Sequence, residues 1–290
     1  MHNITIAILI TCHNRRDITL SCLKALENQT IDHNIQYSVY LVDAGSTDGS
    51  VEAIEKNFSD VKIIRCDSSI FWNEGMRIAF STAQKNNYDF YLWLNDDTTL
   101  YSNTLACLLE SYNKGKIQFS SSPIIIGSSC DTNNGKRTYG GLKAKNKWQP
   151  ISFTPVIPSN ELQRCDSFDG NCVLIPHNVF NTIGNLAPEY THAMGDTDYG
   201  LRAKKKGIPI LIIPGYAGTC SRNPPPSWSN PELSLSTRIK ALRTPKGLPP
   251  GQWLFFIRRH GGIFWPLYWL KYIQRILFPA YWGRKTRPGI

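Results

Sequence analysis

The sequence has no paired-cysteine motif, and its N-terminal segment has no cluster of basic residues. Its eight cysteines are scattered, without a CxxC pair, over positions 12, 22, 66, 107, 130, 165, 172 and 220. This spacing fits neither a zinc ribbon nor a small disulfide framework, and residues 1–10 lack the basic region of a secretory signal. We therefore expect free thiols and a cytoplasmic protein.

Acidic residues are missing from the C-terminal part of the sequence. From Leu233 to the last residue there are eleven Lys and Arg but no Asp or Glu, whereas the preceding part holds 21 basic and 22 acidic residues. The net charge of +10 therefore belongs to this tail, and a partner that responds to the charge is expected to bind there.

The tail also lacks an apolar run of the ~20 residues that a membrane-spanning helix needs. Its longest uncharged stretch among the aromatic residues is 260–270, and its cations there are Arg258, Arg259, Lys271 and Arg275. The aromatic side chains include Trp253, Phe255, Phe256, Phe264, Trp265, Trp269 and Trp282. This mixture favours a helix lying on an anionic membrane. The alternative is a helical pair that packs its aromatic side chains on the rest of the chain or on a second subunit.

The first half of the sequence alternates strand and helix patterns. Strands are predicted at 4–11, 37–42, 61–65 and 90–94, and helices at 17–28, 50–58 and 73–85. This alternation predicts an α/β fold with a parallel, doubly wound sheet. The second half is less regular: long loops around one hairpin are expected at 127–163, then a strand at 168–175, helices at 177–183 and 196–206, and a strand at 208–213.

Acidic residues follow two of the predicted strands. Asp43 opens a turn after the second strand, and Asp96 and Asp97 follow the fourth. Ligands of doubly wound sheets bind beyond the carboxyl ends of the strands, where these side chains would lie. Adjacent carboxylates repel each other, so the pair suits a hard cation such as Mg²⁺ or Mn²⁺ that bridges to a diphosphate, although solvated turn aspartates are an alternative.

A third acidic cluster opens the predicted helix at 196–206. Asp196 and Asp198 lie in its first turn, where the helix dipole favours ionised carboxylates. Arg202 follows Asp198 by four residues and can pair with it on the same face. Asp196 is then left free and is the candidate general base.

These segments resemble the inverting family 2 glycosyltransferases, which have the GT-A fold, over residues 4–222. The resemblance is carried by TCHNR at 11–15, VDAGSTD at 42–48, LNDD at 94–97 and GDTDYGLR at 195–202. The segments FWNEGM at 71–76 and YLWLNDD at 91–97 further resemble a rhamnosyltransferase-like branch that builds bacterial surface polysaccharides. The four motifs in this order and spacing are specific, although each alone is weak.

The resemblance implies a role for each candidate residue. Thr11, Asn14, Arg15, Asp43 and Asp96 would bind the donor nucleotide, Asp97 would bind Mg²⁺ or Mn²⁺, and Asp196 would be the catalytic base. On the acceptor side, or supporting it, would lie Trp72, His192, Asp198 and Arg202.

Two positions depart from the family pattern. Gly195 stands where the family often has Glu, and Cys220 stands near the place of a metal-binding His. A neutral thiol is a poor ligand for Mg²⁺, so Asp97, phosphates and water would have to hold the metal.

The resemblance implies a GT-A catalytic domain at 1–222, with a nucleotide-sugar half at about 1–112 and an acceptor half at about 113–222, followed by the basic aromatic segment at 223–290. The implied reaction is inverting transfer from dTDP-rhamnose or a UDP-sugar to a hydroxyl of a lipid-linked or growing bacterial surface polysaccharide, at the inner face of the cell membrane.

Two other functions are alternatives. One is a metal-dependent nucleotidyltransferase, although the loop at 11–16 has no glycine for a triphosphate, and the other is a nucleic-acid binder using the tail. Nucleic acid is not an expected partner, because the first 232 residues are near neutral and offer no basic groove.

Overall fold

The structure, a computed structural model, describes residues 3–281. Trp282 and the remainder of the predicted tail segment up to residue 290 lie outside the described residues. The strands are β1 (Ile4–Cys12), β2 (Ile35–Ala44), β3 (Lys62–Cys66), β4 (Phe90–Leu94), β5 (Thr99–Leu100), β6 (Ile124–Ile126), β7 (Ser129–Cys130), β8 (Arg137–Tyr139), β9 (Gly141–Ala144), β10 (Phe153–Pro155), β11 (Gln163–Arg164), β12 (Ser167–Phe168), β13 (Cys172–Pro176), β14 (Ile210–Ile212) and β15 (Gly218–Thr219). The α-helices are α1 (Arg16–Glu27), α2 (Ser50–Asn57), α3 (Trp72–Ala83), α4 (Thr104–Phe119), α5 (His177–Ile183), α6 (Gly195–Lys205), α7 (Leu235–Arg243), α8 (Pro250–His260) and α9 (Trp265–Leu277).

Eight strands form a central sheet in the order β11-β14-β6-β13-β4-β1-β2-β3. Six of them run in one direction, and β13 and β11 run against their neighbours. Two smaller sheets, β10-β9-β12 and β5-β15-β7-β8, lie beside it. The expected α/β fold with a mostly parallel sheet flanked by helices is confirmed.

The central strands are apolar because both of their faces are covered. In β1, Ile6, Ile8 and Ile10 point into a core cluster with side chains of α1, α2 and α4, while Ala7 and Leu9 point into a second cluster with α3, α5 and α6. All five side chains are fully buried. The helices therefore form one layer on each side of the sheet.

The structure differs from the sequence prediction in several places. The single strand expected at 168–175 is wrong, because Asp169–Asn171 form a loop between β12 and β13. The region 127–163 holds more than one hairpin, since β7, β8, β9 and β10 all lie there. Strands of two to four residues are too short for an alternating pattern to be visible in the sequence. The 16-residue helix α4 was also not predicted, and residue 112, the expected boundary between the two halves, lies inside it.

The tail folds into α7, α8 and α9, which pack against the preceding chain. Phe256 and Ile257 of α8 and Tyr268 of α9 share a core cluster with Tyr190 and Leu201, the latter on α6. Trp228, Leu242 and Tyr272 form a smaller cluster within the tail. Among residues 3–281, no helix combines the length and apolarity that crossing a membrane requires.

Candidate active site

The topology brings loops from both halves of the chain to one edge of the sheet. β1, β2 and β4 run parallel and end there, with Cys12 of β1 opposite Asp43 of β2. β13 is antiparallel to β4 and begins where β4 ends, with Cys172 opposite Leu94. The backbone N–H of Asn95 donates to the carbonyl of Asn171 at 3.0 Å. The loop before β13 therefore lies beside the loop after β4.

A cavity of about 510 Å³ opens at this edge. It is lined by seven of the predicted site residues: Thr11, Arg15, Trp72, Asp96, Asp97, His192 and Asp196. Four predicted residues lie outside its lining: Asn14, Asp43, Asp198 and Arg202. The two acidic clusters after β4 and at the start of α6, far apart in sequence, thus meet in one cavity.

Arg15 holds the acidic pair after β4. Its Nη1 donates to Asp96 Oδ1 at 3.1 Å and to Asp97 Oδ2 at 2.9 Å. Burial, together with the charge of Asp97, raises the pKa of Asp96 to about 6, and Arg15 opposes that rise. The guanidinium therefore stabilises two neighbouring carboxylates that would otherwise repel each other.

Asp196 lies at the N-terminus of α6 and is held by backbone amides. Its Oδ2 accepts from the N–H of Gly170 at 2.8 Å and its Oδ1 from the N–H of Thr197 at 2.7 Å. Burial raises the pKa of Asp196, although both hydrogen bonds act in the opposite direction. The carboxyl group is thus fixed in place and made a stronger base than an ordinary aspartate.

Asp169, which sequence analysis did not single out, is the fourth carboxylate of the cavity. Its Oδ2 accepts from the N–H of Gly140 at 3.1 Å and from Arg137 Nη2 at 3.4 Å. Burial and the charge of Asp196 raise the pKa of Asp169 to about 6, against the effect of Arg137. The Asp-Gly-Asn triplet at 169–171 is a turn signature that could have separated this loop from the strand after it.

The four carboxylates of the cavity differ in their countercharges. Asp96 and Asp97 pair with Arg15, and Asp169 pairs with Arg137. Within residues 3–281, Asp196 makes no ion pair, and its hydrogen bonds come from N–H groups and a hydroxyl group. Asp196 is therefore the carboxylate whose negative charge is least compensated.

Trp72 and His192 also line the cavity. Trp72 Nε1 donates to the side-chain oxygen of Asn95 at 2.7 Å, which fixes the indole ring. His192 is half-buried against Phe71, with an edge-to-face ring distance of 6.2 Å. Burial lowers the pKa of His192 to about 4, with further contributions from the charges of Lys246 and Arg15. The imidazole is therefore neutral at physiological pH.

Asp43 and Asn14 support the cavity from outside its lining. Asp43 is buried, accepts from the Cys12 thiol at 3.6 Å and from the Ser46 N–H at 3.1 Å, and stands directly before Ala44, which lines the cavity. Asn14 Oδ1 accepts from the Thr47 N–H at 2.7 Å. Asn14 thus joins the loop after β1 to the loop after β2.

The predicted ion pair between Asp198 and Arg202 is present. Arg202 Nε donates to Asp198 Oδ2 at 2.8 Å, and Asp198 Oδ1 accepts from His260 Nε2 at 2.7 Å and from Tyr190 OH at 3.2 Å. Arg259 Nη1 forms an ion pair with the same oxygen at 3.3 Å. Asp198 has no solvent-exposed area. Although burial raises the pKa of this carboxyl, its hydrogen bonds and cations hold it below the ordinary value. The residue anchors α6 to α8 and does not face the cavity.

The carboxylates after β4 can supply only part of a metal site. No group of three or more His, Cys, Asp or Glu side chains suited to a metal lies in the described residues. Cys220 donates its thiol to Asp97 Oδ1 at 3.4 Å, and burial raises its pKa to about 12, so it remains a neutral and poor ligand. Mg²⁺ commonly takes one or two carboxylates and completes its shell with phosphates and water. A cation held in this way by Asp97 would have to displace a hydrogen bond that Arg15 or Cys220 makes to this carboxylate.

Gly195, which precedes Asp196, is required by packing. A Cβ atom at position 195 would overlap the side-chain oxygen of the buried Asn73. Asn73 Nδ2 donates to the carbonyls of Ala187 and Tyr190 at 2.9 and 2.7 Å, so it cannot turn away without releasing that loop. The departure from Glu at this position therefore has a steric cause.

Other cavity residues gave no sequence signal. Tyr139, Asn223 and Lys246 line the cavity from segments that are distant in sequence from the four motifs. Lys246 belongs to the tail, in the loop between α7 and α8. Only the packing of the tail on the rest of the chain brings it to the cavity.

Comparison with known proteins gives one family and several related folds. Residues 7–175 match the family described as Glycosyl transferase family 2. Comparison with curated protein sequences gives no match.

Solved structures share the fold at low sequence identity. TarS residues 1–349 from S. aureus, in complex with UDP-GlcNAc, has a TM-score of 0.54 at 14% identity, over 87% of this chain and 67% of that one. GalNAc-T7 with UDP, GalNAc and Mn²⁺ has a TM-score of 0.58 at 16% identity, over 82% of this chain and 48% of that one. A further structure of S. aureus TarS has a TM-score of 0.53 at 12% identity, over 82% of this chain and 42% of that one. The chain thus spans about half the length of two of these three structures.

The anchoring role of Asp198 predicts a large loss of stability in Asp198→Asn. The amide cannot balance Arg202 and Arg259, and breaking a buried ion pair by removing one partner costs about 3–5 kcal/mol. Urea unfolding followed by circular dichroism measures the loss.

Glu55→Gln is the matched control, because Glu55 pairs with Arg65 at 2.7 Å while both side chains are more than half exposed. Exposed pairs contribute about 0–1 kcal/mol. A loss in Asp198→Asn no larger than that in Glu55→Gln would contradict the anchoring role.

Proposed function

The chain belongs to glycosyl transferase family 2, and from this membership we propose that it transfers a sugar from a nucleoside-diphosphate donor to a hydroxyl acceptor with inversion at the anomeric carbon. The observation that carries the proposal is the meeting of Asp96, Asp97 and Asp196 in one cavity, with Asp196 alone among the cavity carboxylates in lacking a cationic partner in the described residues. Arginine-paired carboxylates suit binding, and an uncompensated one suits proton abstraction.

The donor side of the cavity is the edge where β1, β2 and β4 end. In the proposed complex Asp43, Thr11, Arg15 and Asp96 contact the nucleotide and ribose, with Asn14 holding their loops together. Asp97 would hold Mg²⁺ or Mn²⁺, and when bound this cation would offset the negative charge that develops on the departing diphosphate. The support for a divalent cation is the donor set and the presence of Mn²⁺ with UDP in the GalNAc-T7 structure.

Asp196 performs the proton transfer in this proposal. The acceptor hydroxyl attacks the anomeric carbon from the face opposite the diphosphate, and Asp196 accepts the hydroxyl proton as the new bond forms. The N–H groups of Gly170 and Thr197 keep the carboxylate oriented during the step. In this proposal neutral His192 and the fixed ring of Trp72, which both line the cavity, contact the acceptor sugar.

The finer assignment is a bacterial surface polysaccharide glycosyltransferase of the rhamnosyltransferase-like branch. Its support is the FWNEGM and YLWLNDD segments at 71–76 and 91–97. The proposed donors are dTDP-rhamnose and a UDP-sugar, and the bound UDP-GlcNAc of TarS supports the second. The proposed acceptor is a lipid-linked or growing glycan.

Contact with an anionic membrane fits such an acceptor and is supported by the surface of α9. One face of the helix packs inward through Tyr268 and Tyr272. The opposite face carries exposed apolar side chains at intervals of three or four residues: Leu267, Leu270, Ile273 and Leu277. Ile263 before the helix and Phe278 and Tyr281 after it are exposed as well. Exposed Lys271 lies on the same helix, and no acidic residue occurs after Glu232. We propose that α9 lies in the membrane interface with this face toward the lipid.

Replacement of the proposed base is expected to separate catalysis from folding. Asp196→Asn keeps one side-chain oxygen as acceptor for the N–H groups of Gly170 and Thr197 but removes the proton acceptor, so kcat should fall by about 10²–10⁴-fold. The variant should fold with a lower melting temperature, because one of the two hydrogen bonds is lost, and its Kd for UDP or dTDP should remain close to that of the wild type. Proton NMR of the wild-type product should show the anomeric configuration opposite to that of the donor.

Asp166→Asn is the control for this experiment, because Asp166 pairs with Lys143 and Lys204 away from the cavity. It should keep near wild-type turnover. Wild-type turnover in Asp196→Asn would show that Asp196 is not the base.

The raised pKa of Asp196 predicts loss of activity on the acidic side at a higher pH than for an ordinary aspartate, whose pKa is about 4. The base works as the carboxylate, so activity is present above its pKa and is lost as the pH falls through it. Asp169 titrates near pH 6 beside it, so the apparent pKa values belong to the pair. The dependence of kcat on pH, at saturating donor and acceptor, measures this acidic limb, which is the pH range over which activity falls as the pH falls.

Asp169→Asn should change the shape of this limb, because it removes the neighbouring carboxyl group whose pKa the charge of Asp196 helps to raise to about 6, and leaves Asp196 to titrate alone. Asp166→Asn should leave the limb unchanged. A limb at or below pH 4 in the wild type, unaffected by Asp169→Asn, would contradict this coupling.

Membrane contact predicts flotation with liposomes containing phosphatidylglycerol at low salt. The double variant Leu270→Asp, Leu277→Asp places two charges on the exposed face, and its ratio of bound to free protein should fall by about tenfold or more because apolar burial is lost. Both positions are about half exposed, so the fold should persist.

Ile117→Asp is the control, since Ile117 is exposed on α4. It should float like the wild type. A wild-type protein that stays in the soluble fraction would exclude the membrane role.

A further inference from the structure

Lys246 brings a positive charge from the tail into the cavity. It lies in the loop between α7 and α8 and lines the cavity together with His192 and Met194. In the described residues it makes no ion pair, whereas the other lining cation, Arg15, is held by Asp96 and Asp97. Lys246 is exposed, so in the empty cavity water solvates its charge, and among the described residues no carboxylate lies within ion-pair distance of it.

The backbone that carries Lys246 is held in place. The N–H of Gly247 donates to the carbonyl of Thr244 at 2.9 Å, and the N–H of Leu248 donates to that of Leu242 at 3.0 Å. Tyr272 OH of α9 donates to the carbonyl of Leu248 at 2.7 Å. The loop is therefore anchored at its start by α7 and at its end by α9.

A second contact holds the tail against the segment that carries His192. Gln252 Nε2 of α8 donates to Thr191 Oγ1 at 3.0 Å. The charge of Lys246 contributes to the lowered pKa of His192, after the larger effect of burial, so the ammonium group acts on that side of the cavity. The neighbouring imidazole is neutral and leaves the positive charge uncompensated.

An unbalanced ammonium group becomes more costly when a ligand fills the cavity and removes its water, unless the ligand brings a negative charge. Lysine binds phosphate as a point charge. We propose that Lys246 forms a phosphate subsite of the cavity, an assignment that rests on the proposed function for the presence of phosphate in the reaction. The phosphate belongs either to the diphosphate of the donor or to a diphosphate that links the acceptor to its lipid.

Two binding arms on the full-length protein distinguish these sources. The first compares UDP with uridine, and dTDP with thymidine, in wild type and Lys246→Gln by calorimetry. The second compares geranyl diphosphate with geraniol in the presence of saturating UDP or dTDP. In each arm the ratio of the two affinities isolates the contribution of phosphate.

Lys246→Gln should reduce this ratio by about tenfold or more in one arm, because hydrogen bonds to charged groups are the stronger ones. Loss in the first arm assigns the subsite to the donor, and loss in the second assigns it to the acceptor. Lys246→Arg should retain most of the ratio. Lys240→Gln, at an exposed position of α7 outside the cavity lining, should match the wild type.

Ratios within twofold of the wild type in both arms would overturn the subsite, as would a wild-type protein that binds none of these diphosphates. The proposed function fails differently. If the protein binds diphosphates through Lys246 but transfers no sugar, the phosphate subsite is supported and the proposed glycosyltransferase activity is contradicted.

Discussion

The site is governed by the cost of gathering negative charges in one partly buried cavity. Four carboxylates meet at the edge where β1, β2 and β4 end, and two of them, Asp96 and Asp97, are adjacent in sequence. Arginines stabilise three of the four, and backbone N–H groups hold Asp196. Burial raises the pKa values of Asp96 and Asp169 in spite of their arginines, and it also raises the pKa of Asp196. Among these three, Asp196 has no cationic partner in the described residues, so it can accept a proton without the loss of an ion pair. The same cavity can therefore contain groups for binding and a group for proton transfer.

The tail is a structural part of this arrangement. Arg259 and His260, at the end of α8, reach the buried Asp198 two residues beyond Asp196. Burial lowers the pKa of His260, so its Nε2–H donates to the carboxylate as a neutral group while Arg202 and Arg259 supply the charge. The helix that carries the proposed base is thus fixed by residues outside the region 7–175 that matches the family.

Much of the fold and the positions of the acidic clusters could be predicted from the sequence, because central strands are buried on both faces and read as continuous apolar runs. β1 and β4 are of this kind, and the residues that end them lie at the ligand edge by topology alone. Asp169 was missed because Phe168 and the apolar residues of β13 flank a three-residue loop and make it resemble one strand. α4 was not predicted either. It contains Gly115, which lies under Leu211 and Pro123, and only the folded structure reveals this close approach. Lys246 could not be found from local pattern, since its place in the cavity depends on how α7, α8 and α9 pack.

The contact between Gly195 and Asn73 couples two positions that are 122 residues apart. Neither residue can change alone: a larger side chain at 195 displaces the amide of Asn73, and the loss of that amide releases the loop that ends at α6. Homologous chains with Glu before the base are therefore expected to carry a different, smaller or differently placed side chain at the position of Asn73. Aligned sequences should show these two sites being inherited as a pair, which gives a criterion for separating this lineage from the rest of the family.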